Sequence, residues 1–269
     1  KVYSFNPIPK DIKPEDQKYI LGAQGNLWTE YITTTDHVEY MIFPRITAMA
    51  EVVWGTNKNF DEYQERLFQH LKVLDKKHIK YSKALYEINT ETGISDDKSA
   101  AMLTLKAAKK NGQVHYTTDG TEPTVNSPVY SAPLRLAGDK TVKAAYFENG
   151  KQMSGGVTQQ FFVSKAFAKD IKLTNEPSKK YYEKGAKSLV DGVKGNPGKH
   201  GRDWLGFDKG QDMEAVIDFG KKETFSTLKT GTLEGTENWI YYPQFIEVFT
   251  SDDGNNFKSV KKMSKNDIE

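Results

Sequence analysis

The chain has 269 residues, with 38 Lys and Arg against 36 Asp and Glu, and a formal net charge of +2. Since both signs of charge are mixed along the chain, no basic patch points to a nucleic-acid partner. It contains no cysteine, which excludes disulfides and thiol catalysis, no apolar run approaches the ~18 residues of a membrane-spanning helix, and we expect no cofactor.

The first ordered stretch begins after residue 18, because three prolines keep residues 1–18 irregular. A short apolar run and two glycines lead to Trp28 and Glu30, which predicts a strand and its loop over residues 19–30. Alternation along a strand would place Trp28 and Glu30 on one side. An indole beside a carboxylate suits a sugar, whose apolar face packs on the ring and whose hydroxyls bond to the acid. A core Trp next to a surface Glu is the alternative.

The next segment has helical spacing of its apolar residues, which predicts a helix over residues 36–54. Asp36 and Glu39 suggest a capping box at its start, and Pro44 should bend it. A second helix is predicted from Asn59 to about Lys83. We expect the apolar stripe of the first helix to pack on a barrel rather than to bind a partner or a membrane; it comprises Met41, Ile42, Ile46 and Met49.

Five spaced strings agree in order with one known family: VYSFNP at residues 2–7, GAQGNLWTE at 22–30, VEYM at 38–41, FPR at 43–45 and AEVVW at 50–54. Together they closely resemble the end of the catalytic domain of β-N-acetylhexosaminidases, glycoside hydrolase family 20. The resemblance covers roughly residues 1–85. It implies the last strand and helices of a (β/α)₈ barrel over residues 1–86. By the same resemblance Trp28 lines the pocket of the terminal N-acetylhexosamine and Glu30 binds the outer hydroxyls of that sugar.

The family's mechanism, as the resemblance implies it, is substrate-assisted hydrolysis with retention. An Asp orients the substrate's acetamide, whose oxygen attacks the anomeric carbon, and an adjacent Glu protonates the leaving group. The only adjacent Asp-Glu here is Asp61-Glu62, which opens a predicted helix, where acidic residues suit the positive end of the helix dipole. We therefore assign no catalytic residue. Since a whole barrel takes ~250 residues, we expect a fragment that is inactive alone.

From about residue 87 the apolar period changes to short strands separated by turns, which is typical of a β-sandwich. The predicted strands lie at residues 102–105, 113–117, 134–136, 142–147 and 159–163. The string YTTDGTEPT at 116–124 resembles the small sandwich that follows chitobiase and hexosaminidase catalytic domains. We predict an immunoglobulin-like sandwich over 87–165 with a packing or spacing role, in which Asp119 forms a turn rather than acting as a ligand or an acid.

A third pattern covers residues 166–269. SLVDG at 188–192, AVIDFG at 215–220 and SDDGNNF at 251–257 resemble, in that order, a discoidin-like domain of the coagulation-factor type C family. The resemblance implies an eight-stranded β jelly roll, possibly truncated here, of a kind often used to bind sugars. Asp191 is a candidate calcium ligand by this resemblance, but we predict no metal.

Several aromatic and basic residues of this third segment are candidate sugar contacts, and for each aromatic residue packing is the competing interpretation. The candidates are Arg202, Trp204, Trp239 and Tyr241. His200, in the basic loop before Arg202, is expected to be solvated rather than to bind a metal.

The sequence thus favours part of a glycosidase that removes terminal N-acetylglucosamine or N-acetylgalactosamine from glycans, with a periplasmic or secreted location implied by the resemblance. A non-catalytic carbohydrate-binding or adhesion module is the alternative. The hexosamine, the linkage and the oligomeric state stay open.

Overall fold

The computed structural model describes residues 1–55, 59–109, 112–181, 184–198, 203–208 and 210–267. The chain forms two compact units, Lys1–Leu85 and Tyr86–Glu269. The regular elements of the first unit are helices, and those of the second are strands and short 3₁₀ turns. In the described part of the chain, no helix has both the length and the apolar character needed to cross a bilayer.

The described residues of the first unit form three α-helices, α1 (Thr35–Ile42), α2 (Arg45–Trp54) and α3 (Phe60–Lys76). Two helices therefore replace the single bent helix predicted over 36–54. The chain is extended at Phe43, with φ −94° and ψ 140°. A proline ring disfavours the helical conformation of the residue before it and brings no N–H of its own, so Pro44 ends α1 instead of bending one long helix.

The predicted capping box of Asp36 and Glu39 is wrong. Thr34 caps α1, because its side-chain oxygen accepts a bond of 3.2 Å from the N–H of His37. Glu39 is committed elsewhere, since its Oε2 accepts a 2.7 Å bond from the backbone N–H of Lys80. This bond ties α1 to the segment that follows α3.

Helix α3 buries the apolar face that its sequence predicts. The buried residues of this face are Tyr63, Leu67, Leu71 and Leu74. Asn59 caps the helix by accepting bonds from the N–H groups of Asp61 and Glu62, at 3.1 and 3.3 Å. Asp61 and Glu62 thus lie in the first helical turn, where their charges favour the helix dipole, as predicted.

Helix α3 ends at Lys76, earlier than the predicted end near Lys83. His78 adopts a left-handed conformation with φ 59°. The N–H of Ile79 then reaches back to the carbonyl of Leu74, at 3.0 Å. This is the Schellman arrangement that terminates a helix, and nothing in the sequence pattern of this stretch signals it.

The strand predicted within residues 19–30 does not form. Pro14–Tyr19 is a 3₁₀ helix, and residues 20–29 have no regular secondary structure. A strand requires a neighbour to complete its hydrogen-bond ladder, and the described residues of Lys1–Leu85 supply none to this segment.

The second unit opens with two facing sheets. Their strands are β1 (Ile88–Ile94), β2 (Ala101–Ala107), β3 (Gln113–Thr117), β4 (Leu134–Leu136), β5 (Lys140–Glu148), β6 (Lys151–Gln152) and β7 (Val157–Phe161). One sheet has the order β1-β2-β4. In the other, β5 pairs with β3, β6 and β7, all antiparallel. Strand β1 contacts β5 across the sheets, and the alternating inward residues of β2 and β5 form the core.

The strands predicted between residues 102 and 163 are all present, with small shifts at their ends, whereas β1 and β6 were missed. Asp119 forms a turn, as predicted: its Oδ1 accepts bonds from the N–H and hydroxyl of Thr121, at 3.0 and 2.6 Å. Gly120 follows with φ +86°, which favours glycine.

After the sandwich sheets come two strand pairs. Strand β8 (Asp170–Leu173) pairs with β9 (Ala215–Asp218), and β10 (Phe245–Thr250) pairs with β11 (Lys258–Ser264). The described residues of 166–267 thus show four strands in two antiparallel pairs. The eight-stranded jelly roll stays a prediction.

Shortening Leu71, which is 1% exposed, to alanine should lower the local stability of α3 by about 2–5 kcal/mol, because the transfer energy is lost and a cavity remains. The measurement is the opening free energy of α3 amides by native-state hydrogen exchange. Val73→Ala on the exposed face of the same helix, where Val73 is 43% exposed, should cost less than about 0.5 kcal/mol. Equal losses in the two variants would contradict the assigned core.

Candidate functional site

Trp28 lies on the surface of the first unit, with 76% of the residue exposed. Glu30 is exposed as well. The indole therefore does not belong to a core within Lys1–Leu85, and its faces are open to a ligand or another surface. This is what stacking against a sugar ring requires.

The relative direction of Trp28 and Glu30 does not follow from strand alternation. Glu30 lies in a turn closed by a 3.0 Å bond from the N–H of Ile32 to the carbonyl of Thr29. In a turn the backbone reverses over a few residues, so the period of two that would align the two side chains does not apply. The premise drawn from a strand was wrong, although both side chains remain exposed.

The segment that carries Trp28 rests on helix α2 at a glycine. A Cβ added at Gly25 would come within 3.2 Å of the Sδ of Met49. Gly25 thus allows the backbone to approach α2 closely. Beside it, the side-chain amide of Gln24 donates a 2.5 Å bond to Asn26 Oδ1. Met49, from the predicted packing stripe, is partly covered by this contact.

A second feature of the first unit is an open cleft of about 620 Å³. Its lining includes Asp36 and His37 at the start of α1, and Asp75, His78 and Tyr81 around the end of α3. Asp75 is already engaged, since its Oδ1 accepts a 3.1 Å bond from the hydroxyl of Tyr81. No sequence pattern signals this cleft, because its lining residues come from segments about 40 positions apart.

Trp204 is held as a packing residue in the second unit. Its indole N–H donates a 2.9 Å bond to the carbonyl of Asn196. Its ring also lies against Gly195, where an added Cβ would approach the ring to 2.7 Å, and against Gly231. With its N–H satisfied and its ring on two glycines, Trp204 fits packing better than stacking on a ligand. Arg202 and His200 lie outside the described residues.

Trp239 has the opposite character, with 84% of the residue exposed. It sits on a loop that two reciprocal backbone bonds close, between Gly235 and Ile240 at 3.0 and 3.1 Å. Its own backbone is left-handed, with φ 61°. Such a conformation is uncommon for a bulky residue. Tyr241, just beyond the loop, is also exposed.

Exposure by itself does not single out Trp239, because many large apolar side chains of residues 166–267 are exposed. These are Leu189, Met213, Val216, Phe225, Leu228, Phe245, Phe249, Phe257 and Val260. The closed loop and left-handed backbone, rather than the exposed area, distinguish the site of Trp239.

Asp191, the candidate calcium ligand, forms an ion pair with a lysine. The Nζ of Lys184 lies 3.1 Å from its Oδ2, and its Oδ1 accepts a 2.8 Å bond from the N–H of Val193. Burial raises the pKa of the Asp191 carboxyl, and the nearby Lys184 ammonium opposes this shift. Among the described residues, no group of three or more His, Asp or Glu side chains could hold a metal ion.

We predict that the pKa of Asp191 lies above the ordinary Asp value in a carbon-13 NMR titration of the chain. A raised pKa means that the protonated acid is favoured in the fold. This contribution to stability is fully present below the unfolded pKa and is lost as the pH rises through the folded pKa. Calcium chloride should leave the Asp191 signal unchanged, because the carboxylate is already paired with the Lys184 ammonium.

Asp253 is the internal control for this titration. Bonds from the backbone and side chain of Asn256 hold the pKa of its carboxyl well below the usual range. Its midpoint should therefore move in the opposite direction to that of Asp191. A normal or lowered midpoint for Asp191, or a calcium-dependent shift, would contradict the assignment.

Comparisons with protein families match two parts of the chain. Residues 1–57 match the model described as glycosyl hydrolase family 20, catalytic domain. Residues 103–161 match the model described as Fn3 associated. The first match contains Trp28 and Glu30, and the second spans most of the sandwich strands.

Curated relatives agree with the first match. A Beta-hexosaminidase of Porphyromonas gingivalis is 36% identical over 160 residues, which cover 57% of this chain and 20% of that protein. A Beta-hexosaminidase of Vibrio vulnificus is 35% identical over 81 residues, covering 24% and 10%. A Beta-N-acetylhexosaminidase of Cellulomonas fimi is 30% identical over 79 residues, covering 28% and 15%. The chain thus spans a fifth or less of the length of each.

Proposed function

Residues 1–57 carry the catalytic-domain signature of glycosyl hydrolase family 20, and from this premise we propose that the chain belongs to a β-N-acetylhexosaminidase. The intact protein would hydrolyse terminal, non-reducing N-acetylglucosamine or N-acetylgalactosamine from glycans. The reaction would proceed with retention and with assistance from the substrate's own acetamide.

Trp28 and Glu30 would contribute to the sugar site of this enzyme. The exposed indole of Trp28, which is 76% exposed in its unit, is the observation that carries this role, since only an uncovered ring can stack on a pyranose. Glu30 would accept hydrogen bonds from sugar hydroxyls, and its charge would strengthen them. Neither residue would act as the acid catalyst.

The chain alone would lack hydrolytic activity. Its only adjacent Asp-Glu pair, Asp61-Glu62, serves the capped start of α3. A general acid typically contributes about 10²–10⁴-fold to a rate. We therefore assign the catalytic carboxylates to the parent protein and only part of the sugar-binding wall to this chain.

We propose that the intact parent enzyme, assayed on a chromogenic N-acetyl-β-glucosaminide, loses about tenfold or more in kcat/KM on Trp28→Ala. One aromatic contact is worth about 0.5–1.5 kcal/mol beyond the apolar area that it buries, and together with this buried area it exceeds the roughly 1.4 kcal/mol that corresponds to tenfold. Glu30→Gln should produce a loss of similar size, because it keeps the shape of the side chain but removes the charge.

Matched controls separate these effects from general damage. Trp239→Ala removes an equally exposed indole, and Glu65→Gln removes an exposed charge on α3; both should leave kcat/KM unchanged on this small substrate. The 269-residue chain alone is the negative control. An inactive parent would overturn the family function, whereas an active parent insensitive to both Trp28→Ala and Glu30→Gln would overturn only the site.

The finer architecture follows the same proposal. Residues 1–86 would close a (β/α)₈ barrel, residues 87–165 would form an immunoglobulin-like spacer, and residues 166–269 would form a discoidin-like domain. A glycan-degrading enzyme of this organisation would work in the periplasm or outside the cell.

A second candidate function is carbohydrate binding by the segment after residue 166. Trp239, on its closed loop with a left-handed backbone, would be the stacking plate and Tyr241 a neighbouring contact. Rigid aromatic side chains bind with little loss of conformational entropy. Trp204 would not take part, since its ring and N–H are already engaged.

The chain should therefore bind a hexosamine- or galactose-bearing glycan in calorimetric titration or on a glycan array. Trp239→Ala should weaken binding by about tenfold, because the stacking contact is lost. Trp54→Ala, which removes an indole that is 87% exposed and has no assigned role, is the matched control within the same chain and should leave the affinity unchanged. Absence of binding by the folded chain, or equal weakening by both variants, would remove this candidate function.

A further inference from the structure

The outer edge of strand β7 is covered by a segment from much later in the chain. The N–H of Phe162 donates to the carbonyl of Gly192 at 2.7 Å, and the N–H of Lys194 donates to the carbonyl of Gln160 at 3.0 Å. Phe161 and Val193 form the antiparallel bridge between them. The register is the same throughout, so residues 192–194 extend the sheet beyond β7.

A buried side chain reinforces this added ladder. Gln159 points into the core side of β7, and its amide nitrogen donates a 3.0 Å bond to the carbonyl of Lys194. A buried amide without such a partner is costly. Lys194 therefore gives this buried amide its shorter bond, since the other bond, to the carbonyl of Gln160 on β7, is 3.5 Å long.

The residues just before this ladder are anchored to the opposite sheet. The Nζ of Lys184 donates to the hydroxyl of Thr92 on β1 at 3.0 Å and pairs with Asp191 at 3.1 Å. Asp191 in turn accepts the N–H of Val193. Both charged side chains are mostly buried, and breaking such a pair leaves an uncompensated charge away from water.

Apolar packing closes the same junction. Val190 and Phe167 are buried, as is Phe161, and the ring of Phe167 lies close to Gly192. The N–H of Ala168 donates to the carbonyl of Val190 at 2.8 Å. The backbone that starts the segment after the sandwich is thus bonded to the segment that returns to it.

Gly192 is the residue that permits this course of the chain. Its φ is +74°, and a Cβ there would lie 2.9 Å from the Cδ2 of Phe167 and 3.0 Å from the carbonyl oxygen of Phe162. Any other residue would combine backbone strain with a clash. The carbonyl is that of Phe162, the residue whose N–H bonds to Gly192 in the added ladder.

We infer that residues 190–194 act as a strap, an added edge strand that locks the segment after residue 166 onto the sandwich as a rigid extension. The two parts predicted as separate domains would then move as one body. A ligand held after residue 194 would be presented at a fixed position rather than on a swinging tether. This inference does not depend on the glycosidase or sugar-binding proposals.

Native-state hydrogen exchange of the full chain tests the strap. The amides of Phe162 and Lys194 should be protected, and in Gly192→Ala they should exchange at least about tenfold faster. The amide of Tyr130, which donates to Val114 across the other edge of the same sheet, should not change. Unprotected Phe162 and Lys194 amides in the natural chain would overturn the inference.

Gly254→Ala is the matched control. Gly254 has φ +73°, nearly that of Gly192, but no atom lies within 4 Å of an added Cβ. It carries the same backbone strain without the clash, so Phe162 and Lys194 should stay protected. If Gly192→Ala also leaves them protected, the strap does not exist as described.

A distance measurement keeps the inference testable if Gly192→Ala fails to fold. The chain has no natural cysteine, so spin labels at Lys151→Cys on β6 and Lys172→Cys on β8 report on the two parts alone. The natural sequence should give one narrow distance distribution, and Lys184→Met should broaden it. A broad distance distribution in the labelled chain that keeps Lys184 would overturn the rigid connection.

Discussion

The second unit depends on strand β5, which carries hydrogen-bond ladders on both of its edges. It pairs with β3 along one edge and with β6 and β7 along the other. Its inward residues Val142, Ala144 and Tyr146 are almost wholly buried. A strand in this position must satisfy every backbone group and fill the space between two sheets at once.

The edges of the sheet around β5 are closed by irregular chain rather than by further long strands. On the β3 side, the N–H of Tyr116 bonds to Pro128 and that of Tyr130 bonds to Val114. On the β7 side, Gly192 and Lys194 likewise form backbone hydrogen bonds to the edge of the sheet. Open strand edges invite pairing with other chains, and short covering segments prevent it. This pairing explains why the loop at Gly192 is bonded to the sheet, although the part of the chain around it is otherwise loosely packed.

Sequence patterns predicted the elements that bury an alternating or helical apolar face. Helix α3 and strands β2, β3 and β5 belong to this class. Strand β1 was missed because Thr90, a polar residue, occupies a buried inward position. Strand β11 was missed because six of its seven residues are exposed and three of the seven are lysines, so it exists through its pairing with β10 rather than through a core. The ends of α1 and α3 were set by Pro44 and His78, one a visible signal and the other not.

The candidate sugar site shows the limit of local pattern in a different way. Trp28 and Glu30 came from a resemblance spread over spaced strings, whereas the strand argument for their alignment failed at the turn of Glu30. The candidate residues can stay exposed without a sheet, because a hydrogen-bond ladder depends on neighbouring strands and an exposed indole does not. Trp204 is the opposite case. A tryptophan suits a sugar ligand, but in this fold the indole N–H of Trp204 bonds to Asn196 and its ring packs on two glycines. Chemistry at an aromatic residue is therefore decided by which of its faces the fold leaves open.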